Sequence, residues 1–376
     1  MSDTFDNILP LPYRIISLLL LGSWLWLIIL KISFKYNINL IQLLKINELS
    51  SSILEQKELY TRHEKTCINI SLISIISYLI SQFLHNKDIE SITIWDFLPI
   101  LIILIIAFQL IKPNNHGSKR LISTFNRILR GKISQNLRTN DILLSDTLTS
   151  YSKILIDLAI YSCHLINNKT CLPKSTGPTL SRTCGESIML DSLIGLIPTF
   201  IRLKQCLWEY KLSNFRNKLH LLNFFKYSTN LPIVILGVYI RFYQIQLTKF
   251  WVFLALINSS YTFIWDINND WNLNLLKFDL RNLLRSKIIY NKVFYGFAII
   301  IDFLLRFIWI WKFLSPATEN SSWFYSWISS LFSSEFGIFS LEILEILRRF
   351  IWILIKLEVD YINLDPIKDI ELNELK

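Results

Sequence analysis

One apolar, helix-length stretch of the sequence, IFSLEILEILRRFIWILIKL, runs from Ile338 to Leu357 and carries Arg348 and Arg349 near its middle. A helix of about twenty residues rises about 30 Å, which is enough to cross the hydrocarbon core of a bilayer. An arginine at that depth costs about 2.5–3.5 kcal/mol on insertion scales, so it normally faces a polar cavity or a partner charge. Two interpretations follow: a structural ion pair between Glu345 and Arg349, or a site that handles an anion.

The composition is that of a membrane protein. Of the 376 residues, 52% are hydrophobic, and only 9 are glycine and 10 proline. We therefore predict an all-α, polytopic integral membrane protein with about nine transmembrane helices. The apolar stretches long enough to span lie at about 14–32, 67–84, 93–112, 142–166, 186–203, 224–244, 249–267, 292–314 and 338–357.

The distribution of basic residues predicts the orientation of these helices. The net charge is +10, and the basic residues lie in loops rather than in one block, which indicates membrane orientation and not nucleic-acid binding. Loop 113–140 carries basic residues and no acidic one, whereas loop 315–337 carries no lysine or arginine. We therefore predict a lumenal N-terminus over 1–13, N-terminal transmembrane helices over 14–185, and an acidic cytoplasmic tail over 358–376.

Two further features fall in the predicted lumenal loops. Asn168 and Asn320 each begin a glycosylation acceptor pattern. Cys171 and Cys184 share one loop, where an oxidising compartment would allow a disulfide between them. The other cysteines, which we interpret as ordinary buried or interfacial thiols, are Cys67, Cys163 and Cys206.

Two predicted cytoplasmic segments differ in charge. The basic segment from Lys119 places apolar residues at helical intervals from Leu121 to Ile133, which predicts a helix along the cytoplasmic membrane surface. A solvated basic loop is the alternative. The acidic tail from Glu358 is predicted to be flexible and to offer a binding site for a partner.

Charged residues recur in the other predicted spans. Asp302 and Arg306 are four residues apart, with Trp309 one turn further on the same helix face. A planar guanidinium meets two phosphate oxygens at once, so we predict cations that bind an anion and carboxylates that hold those cations in place. The predicted intramembrane charges are Arg306, Arg348, Arg349 and Lys226 against Asp146, Asp157, Asp266, Asp302, Glu342 and Glu345.

No enzyme motif accompanies these charges. The sequence contains neither GxSxG nor a glycine-rich phosphate loop, and its five cysteines and five histidines form no CxxC, HxxxH or HExxH pattern. We therefore expect no metal and no cofactor. An intramembrane hydrolase or acyltransferase that uses His220 stays an alternative, although His220 is more simply an interfacial histidine.

Four stretches between about Leu193 and Glu358 resemble the EXS family, which includes yeast ER-retention-defective proteins and phosphate exporters of animals and plants. The stretches are LIPTFIRLKQCLWEY with LHLLNFFKYST, SSYTFIWDINNDW, IDFLLRFIW and LEILRRFIWILIKLE. The resemblance implies a phosphate transport core over 186–357, with a pore formed by C-terminal helices. The positions that match phosphate-lining residues of the family are Arg306, Arg348, Arg349, Lys226 and Tyr227, with Arg216 at the cytoplasmic mouth. The family's supporting acids match Asp146, Asp266, Asp270 and Glu345, and we add Asp302 because it neighbours Arg306. The family's gating aromatic matches Trp309.

The resemblance also implies a location and a role. The chain starts at the membrane, so it is similar to the short yeast branch without a soluble phosphate-sensing region. That branch is implied to lie in the Golgi membrane, to cycle with the ER, and to return lumenal phosphate from glycosylation to the cytosol. It is also implied to retain ER lumenal proteins and glycosyltransferases. In one departure, Trp208 and Glu209 replace a basic pair that the family commonly has.

The expected partners are inorganic phosphate and membrane lipid, and a homodimer is left open. The alternative function is a non-transporting sorting factor that recruits a coat adaptor through its cytoplasmic loops or tail. In that case the intramembrane charges would be merely structural.

Overall fold

The computed structural model describes residues 2–46, 53–85, 97–111, 116–167, 190–243, 249–274, 284–311, 330–332 and 334–364. Across these residues the regular elements are helices, and no strand is present. The prediction of an all-α polytopic membrane protein is confirmed. The helical stretches long and apolar enough to cross a membrane are Leu11–Lys35, Leu54–Phe83, Lys218–Ile240, Lys249–Asp270 and Lys292–Ile310.

The helices are numbered in chain order. They are α1 (Ser2–Ile8), α2 (Leu11–Lys35), α3 (Leu40–Leu43), α4 (Ile53–His85), α5 (Leu98–Ile111), α6 (His116–Leu129), α7 (Arg138–Ser150), α8 (Ser152–Ile166), α9 (Leu190–Leu212), α10 (Lys218–Ser228), α11 (Asn230–Tyr243), α12 (Lys249–Trp265), α13 (Lys292–Arg306) and α14 (Glu335–Leu364).

Several predicted spans are interrupted near their middle or end. The fourth divides into α7 and α8 at Tyr151, and the sixth divides into α10 and α11 at Thr229. A π-helical turn, Asp266–Asp270, follows α12, and a 3₁₀ turn, Ile308–Ile310, follows α13. At the first two points side-chain hydroxyls donate to backbone carbonyl oxygens, Ser152 to Thr149 at 2.8 Å and Thr229 to Lys226 at 2.7 Å. The hydrophobic pattern of the sequence did not predict these interruptions, because the apolar residues continue on both sides of them.

The core is built around α14 and α2. Trp352 and Ile355 of α14 are fully buried and pack in one cluster with Leu30 of α2. Ile267 of the π-helical turn and Trp271 just after it enter the same cluster and are equally buried. The long helix α14, about 45 Å if straight, therefore serves as the central element of the bundle.

Ion pairs fix the N-terminal end of α14. Arg14 of α2 is 2% exposed, and its Nη1 lies 2.6 Å from Oε2 of Glu335, the first residue of α14. The Nη2 of Arg14 pairs with Asp6, so α1 joins the same contact. A buried arginine shared by two carboxylates thus ties α1, α2 and α14 together.

The C-terminal part of α14 differs from the prediction. We predicted a flexible tail from Glu358, but α14 continues to Leu364, so the prediction is wrong for this stretch. Glu358 is fully buried, and its Oε2 lies 2.6 Å from Nη2 of Arg285. The hydroxyl of Tyr295 donates to Oε1 of Glu358 at 2.5 Å. Residues 365–376 lie outside the described residues.

The predicted basic helix is present as α6. Phe125 is 42% exposed and Leu129 is 52% exposed, whereas Ile128 between them is fully buried. The helix therefore has an outward apolar strip beside its basic residues. Its placement along a membrane surface stays a prediction.

The cysteines correct one interpretation. Cys163, near the end of α8, forms a disulfide, so the interpretation of this residue as an ordinary thiol is wrong. Cys67 and Cys206 are free and buried, as expected. The predicted pairing of Cys171 with Cys184 and the acceptor sites Asn168 and Asn320 lie outside the described residues.

Replacing Glu358 with glutamine is expected to destabilise the fold. The change leaves the guanidinium of Arg285, 9% exposed, without its carboxylate. Loss of a buried partner costs about 3–5 kcal/mol of unfolding free energy, which a thermal unfolding midpoint measured in detergent would show. Glu64→Gln is the control, because the Glu64 carboxylate is 35% exposed and its pair with Lys31 contributes about 0–1 kcal/mol. Equal midpoints for both variants would contradict the structural role of Glu358.

Candidate anion-binding site

Ionisable side chains from six helical segments meet inside the bundle. We call this set the charged cluster. Its cations are Arg202, Lys226, Arg306, Arg348 and Arg349, and its carboxylates are Asp146, Asp266, Asp270, Asp302 and Glu345. Seven of these residues, all except Asp270, Arg306 and Glu345, are less than one-tenth exposed. Because such charges are costly inside a membrane, their contacts decide whether the cluster is structural or functional.

Two aspartates bridge the helices of the cluster. Asp266 Oδ1 lies 2.9 Å from Nζ of Lys226, and its Oδ2 pairs with Nη2 of Arg306. Asp302 Oδ2 accepts from Nε of Arg306 at 2.8 Å, and its Oδ1 accepts from Nη1 of Arg348 at 2.9 Å. These shared carboxylates connect α10, the π-helical turn, α13 and α14.

Glu345 pairs with Arg348. Its Oε2 accepts from Nε at 2.9 Å and its Oε1 accepts from Nη2 at 2.7 Å, which is the two-oxygen geometry of a strong guanidinium–carboxylate pair. The hydroxyl of Ser150 donates to the same Oε1 at 2.8 Å. The ion pair considered from the sequence, between Glu345 and Arg349, is therefore not the one formed.

A second group surrounds Asp146 on α7. Its Oδ1 lies 2.7 Å from Nε of Arg202 on α9, and the hydroxyl of Tyr227 donates to the same oxygen at 2.7 Å. The guanidinium of Arg202 also lies 4.9 Å from the centre of the Tyr227 ring, within the range of a cation–π contact.

Sequence reasoning missed Arg202. The signal was present, because this arginine interrupts the apolar stretch LIPTFIRLK just as Arg349 interrupts the last predicted span. Arg202 is 2% exposed and pairs with a carboxylate that had already been selected. It belongs with the predicted site residues.

Arg349 differs from the other cations of the cluster. Within the described residues it forms no ion pair: its Nε donates to the hydroxyl of Ser150 at 2.8 Å, and its Nη2 donates to the hydroxyl of Thr149 at 3.2 Å. The guanidinium lies 4.8 Å from the ring centre of Trp352. Neutral hydroxyls and an aromatic face leave the positive charge of Arg349 available to a bound anion.

Two predicted site residues stand apart from these contacts. Trp309 donates from Nε1 to the hydroxyl of Ser259 at 2.9 Å, and that hydroxyl donates to the carbonyl oxygen of Arg306 at 3.1 Å. Trp309 therefore lies beside the cluster, and its gating role stays a prediction. Arg216 is exposed in the turn between α9 and α10 and has no contact with the described members of the cluster.

His220 has the contacts of a structural histidine. Its Nδ1 lies 3.4 Å from Oε2 of Glu209, and the other oxygen of this carboxylate, Oε1, accepts from Nε of Arg138 at 2.6 Å. The neighbouring Trp208 lies under the ammonium of Lys132, 5.4 Å from the ring centre. Where the resemblance led us to expect a basic pair, this chain therefore has a buried carboxylate and an aromatic ring.

The fold and the site together define a class: a helical membrane protein with shared ion pairs inside its bundle and, among the described residues, a buried guanidinium that contacts hydroxyls instead of a carboxylate. The family model described as the EXS family matches residues 9–362, so the chain belongs to the EXS family. The relationship extends over nearly the whole length of the chain.

Three relatives illustrate the family. The chain is 32% identical over 394 residues to Protein ERD1 of Kluyveromyces lactis, covering 96% of each chain. It is 31% identical over 375 residues to Protein ERD1 of Saccharomyces cerevisiae, covering 95% of this chain and 94% of the relative. It is also 31% identical over 238 residues to Solute carrier family 53 member 1 of Mus musculus, covering 59% of this chain and 32% of the relative.

Two substitutions should separate the structural and free cations. Arg202→Leu leaves the buried carboxylate of Asp146 without its arginine, and we expect a loss of about 3–5 kcal/mol in unfolding free energy. Arg349→Gln removes charge-assisted hydrogen bonds to hydroxyls but breaks no ion pair among the described residues, so a smaller loss of about 1.5–3 kcal/mol is expected. Thermal unfolding in detergent measures both. A larger loss for Arg349→Gln than for Arg202→Leu would contradict this distinction between the two arginines.

Proposed function

We propose that this protein transports inorganic phosphate from the lumen of the Golgi to the cytosol and is not an enzyme. The observation that carries the proposal is the geometry of Arg349, a buried guanidinium that contacts Ser150 and Thr149 through neutral hydroxyls. The membership of the chain in the EXS family, and its similarity to ERD1 and solute carrier proteins, support a role as a membrane transporter.

Phosphate suits the chemistry around Arg349. A guanidinium presents parallel N–H donors that match two oxygens of a tetrahedral anion. The hydroxyl of Ser150 lies between Arg349 and Glu345 and can rotate to donate to a bound oxygen instead of the carboxylate. Arg348, fixed by Glu345, supplies further positive potential on the same helix. The remaining predicted phosphate residues, Lys226, Tyr227 and Arg306, then form the path beyond Arg349.

The helix interruptions support a transport path. The break at Tyr151 follows directly on Thr149 and Ser150, and the break at Thr229 follows Lys226 and Tyr227. Discontinuous helices with polar ends at mid-membrane are a recurring way to build a substrate site that faces either side in turn. The exposed Arg216, in the turn before α10, would attract phosphate at the cytoplasmic mouth.

The orientation rests on two independent arguments. Basic loops predict that the turn between α9 and α10 is cytoplasmic. The disulfide of Cys163 indicates that the far end of α8 faces an oxidising compartment, as the lumen is. Both arguments support a lumenal loop after α8, and together with the predicted alternation of the spans they favour a cytosolic C-terminus for α14.

We further propose that retention of Golgi glycosyltransferases and ER lumenal proteins depends on this transport. Glycosylation releases phosphate in the lumen, and transport to the cytosol would prevent this phosphate from accumulating there. The sorting-factor hypothesis instead assigns retention to cytoplasmic segments that recruit a coat adaptor. The contacts of Arg349 favour transport, because a purely structural arginine would gain stability from a direct pair with a carboxylate, whereas Arg349 contacts hydroxyls.

Arg349→Gln should lower phosphate uptake into liposomes that contain the purified protein. A charge-assisted hydrogen bond contributes about 1.5–3 kcal/mol, which corresponds to a loss of roughly 10- to 150-fold. Radiolabelled phosphate uptake measures the loss, with sulfate and a nucleotide as competitors. Lys35→Gln is the control, since Lys35 is an exposed basic residue near the ring of Tyr36 and outside the charged cluster. Unchanged uptake by a correctly folded Arg349→Gln protein would remove Arg349 from the site.

The same substitution tests the link to retention. In cells that lack the endogenous protein, we expect Arg349→Gln to reach the Golgi and yet fail to retain a glycosyltransferase, because lumenal phosphate would accumulate. Fluorescence imaging of the enzyme and of the variant itself measures both outcomes. Normal retention by a variant that is inactive in liposomes would favour the sorting-factor hypothesis.

A further inference from the structure

The charged cluster is electrically balanced. It contains as many cations as carboxylates, namely Arg202, Lys226, Arg306, Arg348 and Arg349 against Asp146, Asp266, Asp270, Asp302 and Glu345. When all are ionised, a phosphate that binds at Arg349 gives the cluster a net negative charge. An unbalanced charge is expensive in surroundings of low dielectric constant. Phosphate therefore binds most readily when one carboxylate becomes neutral.

Four of the carboxylates hold cations of the cluster through close contacts. Each accepts at least two short contacts: Asp146 from Arg202 and Tyr227, Asp266 from Lys226 and Arg306, Asp302 from Arg306 and Arg348, and Glu345 from Arg348 and Ser150. Protonating any of them would break several charge-assisted hydrogen bonds. They act as fixed counter-charges.

Asp270 is held differently. Within the described residues its one polar contact is with Nζ of Lys226 at 3.4 Å, and that ammonium lies closer to Asp266, at 2.9 Å. The Asp270 side chain is 16% exposed, whereas that of Asp266 is 1% exposed. Asp270 is the last residue of the π-helical turn, at the edge of the cluster where its side chain is partly exposed.

The charged groups that face Asp270 come from several elements. They are Lys226 of α10, Asp266 of its own turn, Lys356 of α14 and Asp146 of α7. Two cations and two other carboxylates therefore face Asp270, so its surroundings contain charges of both signs. Protonation removes a single long contact and leaves Lys226 paired with Asp266.

We propose that Asp270 takes up one proton when one dihydrogen phosphate anion binds at Arg349, so that phosphate and proton cross the membrane together without net charge. The Asp270 carboxylate becomes a carboxylic acid on loading and returns to a carboxylate on release, and no bond to phosphorus changes. This inference rests on the proposed function, and it adds the coupling ion.

Proteoliposomes that contain the whole purified protein test the coupling. Both sides are buffered at a pH acidic enough for phosphate to be almost entirely monovalent, the membrane potential is clamped with potassium and valinomycin, and a trapped dye reports pH. We expect roughly one proton to enter with each radiolabelled phosphate. The initial rate of uptake should be the same at inside-positive and inside-negative potentials.

The outcomes separate the two levels of the proposal. Phosphate uptake that follows the potential and moves no protons would overturn proton coupling and leave phosphate transport intact. No phosphate uptake by the unmodified protein would overturn the proposed function, and the coupling with it. The unmodified protein alone decides both questions, so the test does not depend on any variant folding.

A substitution then assigns the coupling to one residue. Asp270→Asn fixes the neutral state, so we expect phosphate uptake to continue, to follow the potential and to carry no protons. Asp157→Asn is the matched control: this buried carboxylate of α8 pairs with Lys153 at 2.6 Å outside the cluster, and coupling should persist. An Asp270→Asn protein that still moves protons with phosphate would overturn the assignment of Asp270.

Discussion

The sharing of carboxylates between cations is the interaction on which the rest of the structure depends. Asp266 and Asp302 each pair with two cations on different helices, so these bridges link α10, the π-helical turn, α13 and α14 in addition to their apolar packing. An unpartnered charge would otherwise face lipid at high cost. The bridges hold three cations, Lys226, Arg306 and Arg348. Arg349 instead contacts hydroxyls, and it is the cation at which we propose that the ligand binds.

Much of this arrangement is visible in the sequence. Apolar stretches predict the helical membrane class, because length and composition alone decide whether a segment can span a bilayer. Charged residues inside those stretches predict the site, because a charge inside a membrane is costly and is normally kept only with a partner or a function. Arg348, Arg306 and Asp302 were selected in this way, and the structure brings them into direct contact.

The details that the sequence did not provide depend on tertiary contacts. Glu345 lies three residues before Arg348 and four before Arg349, so helical spacing allows either pair. The choice falls on Arg348 because Asp302 on α13 holds its guanidinium from the other side. Likewise, the burial of Glu358 depends on Arg285, which approaches from a loop distant in sequence. The residue pattern within one helix does not show which residues from distant parts of the sequence will pack against it.

The interrupted helices have a consequence for the energy barrier that an ion meets. Each helix end leaves N–H and C=O groups without intrahelical partners, and within a membrane such groups are satisfied by polar side chains or by water. At Tyr151 and Thr229 the backbone N–H groups stay bonded, to the carbonyl oxygens of Thr147 at 3.2 Å and Phe225 at 3.1 Å. These turns therefore add side-chain hydroxyls to the interior of the bundle without leaving those backbone donors exposed. In the proposed transport path, an anion would exchange part of its water for hydroxyl groups there.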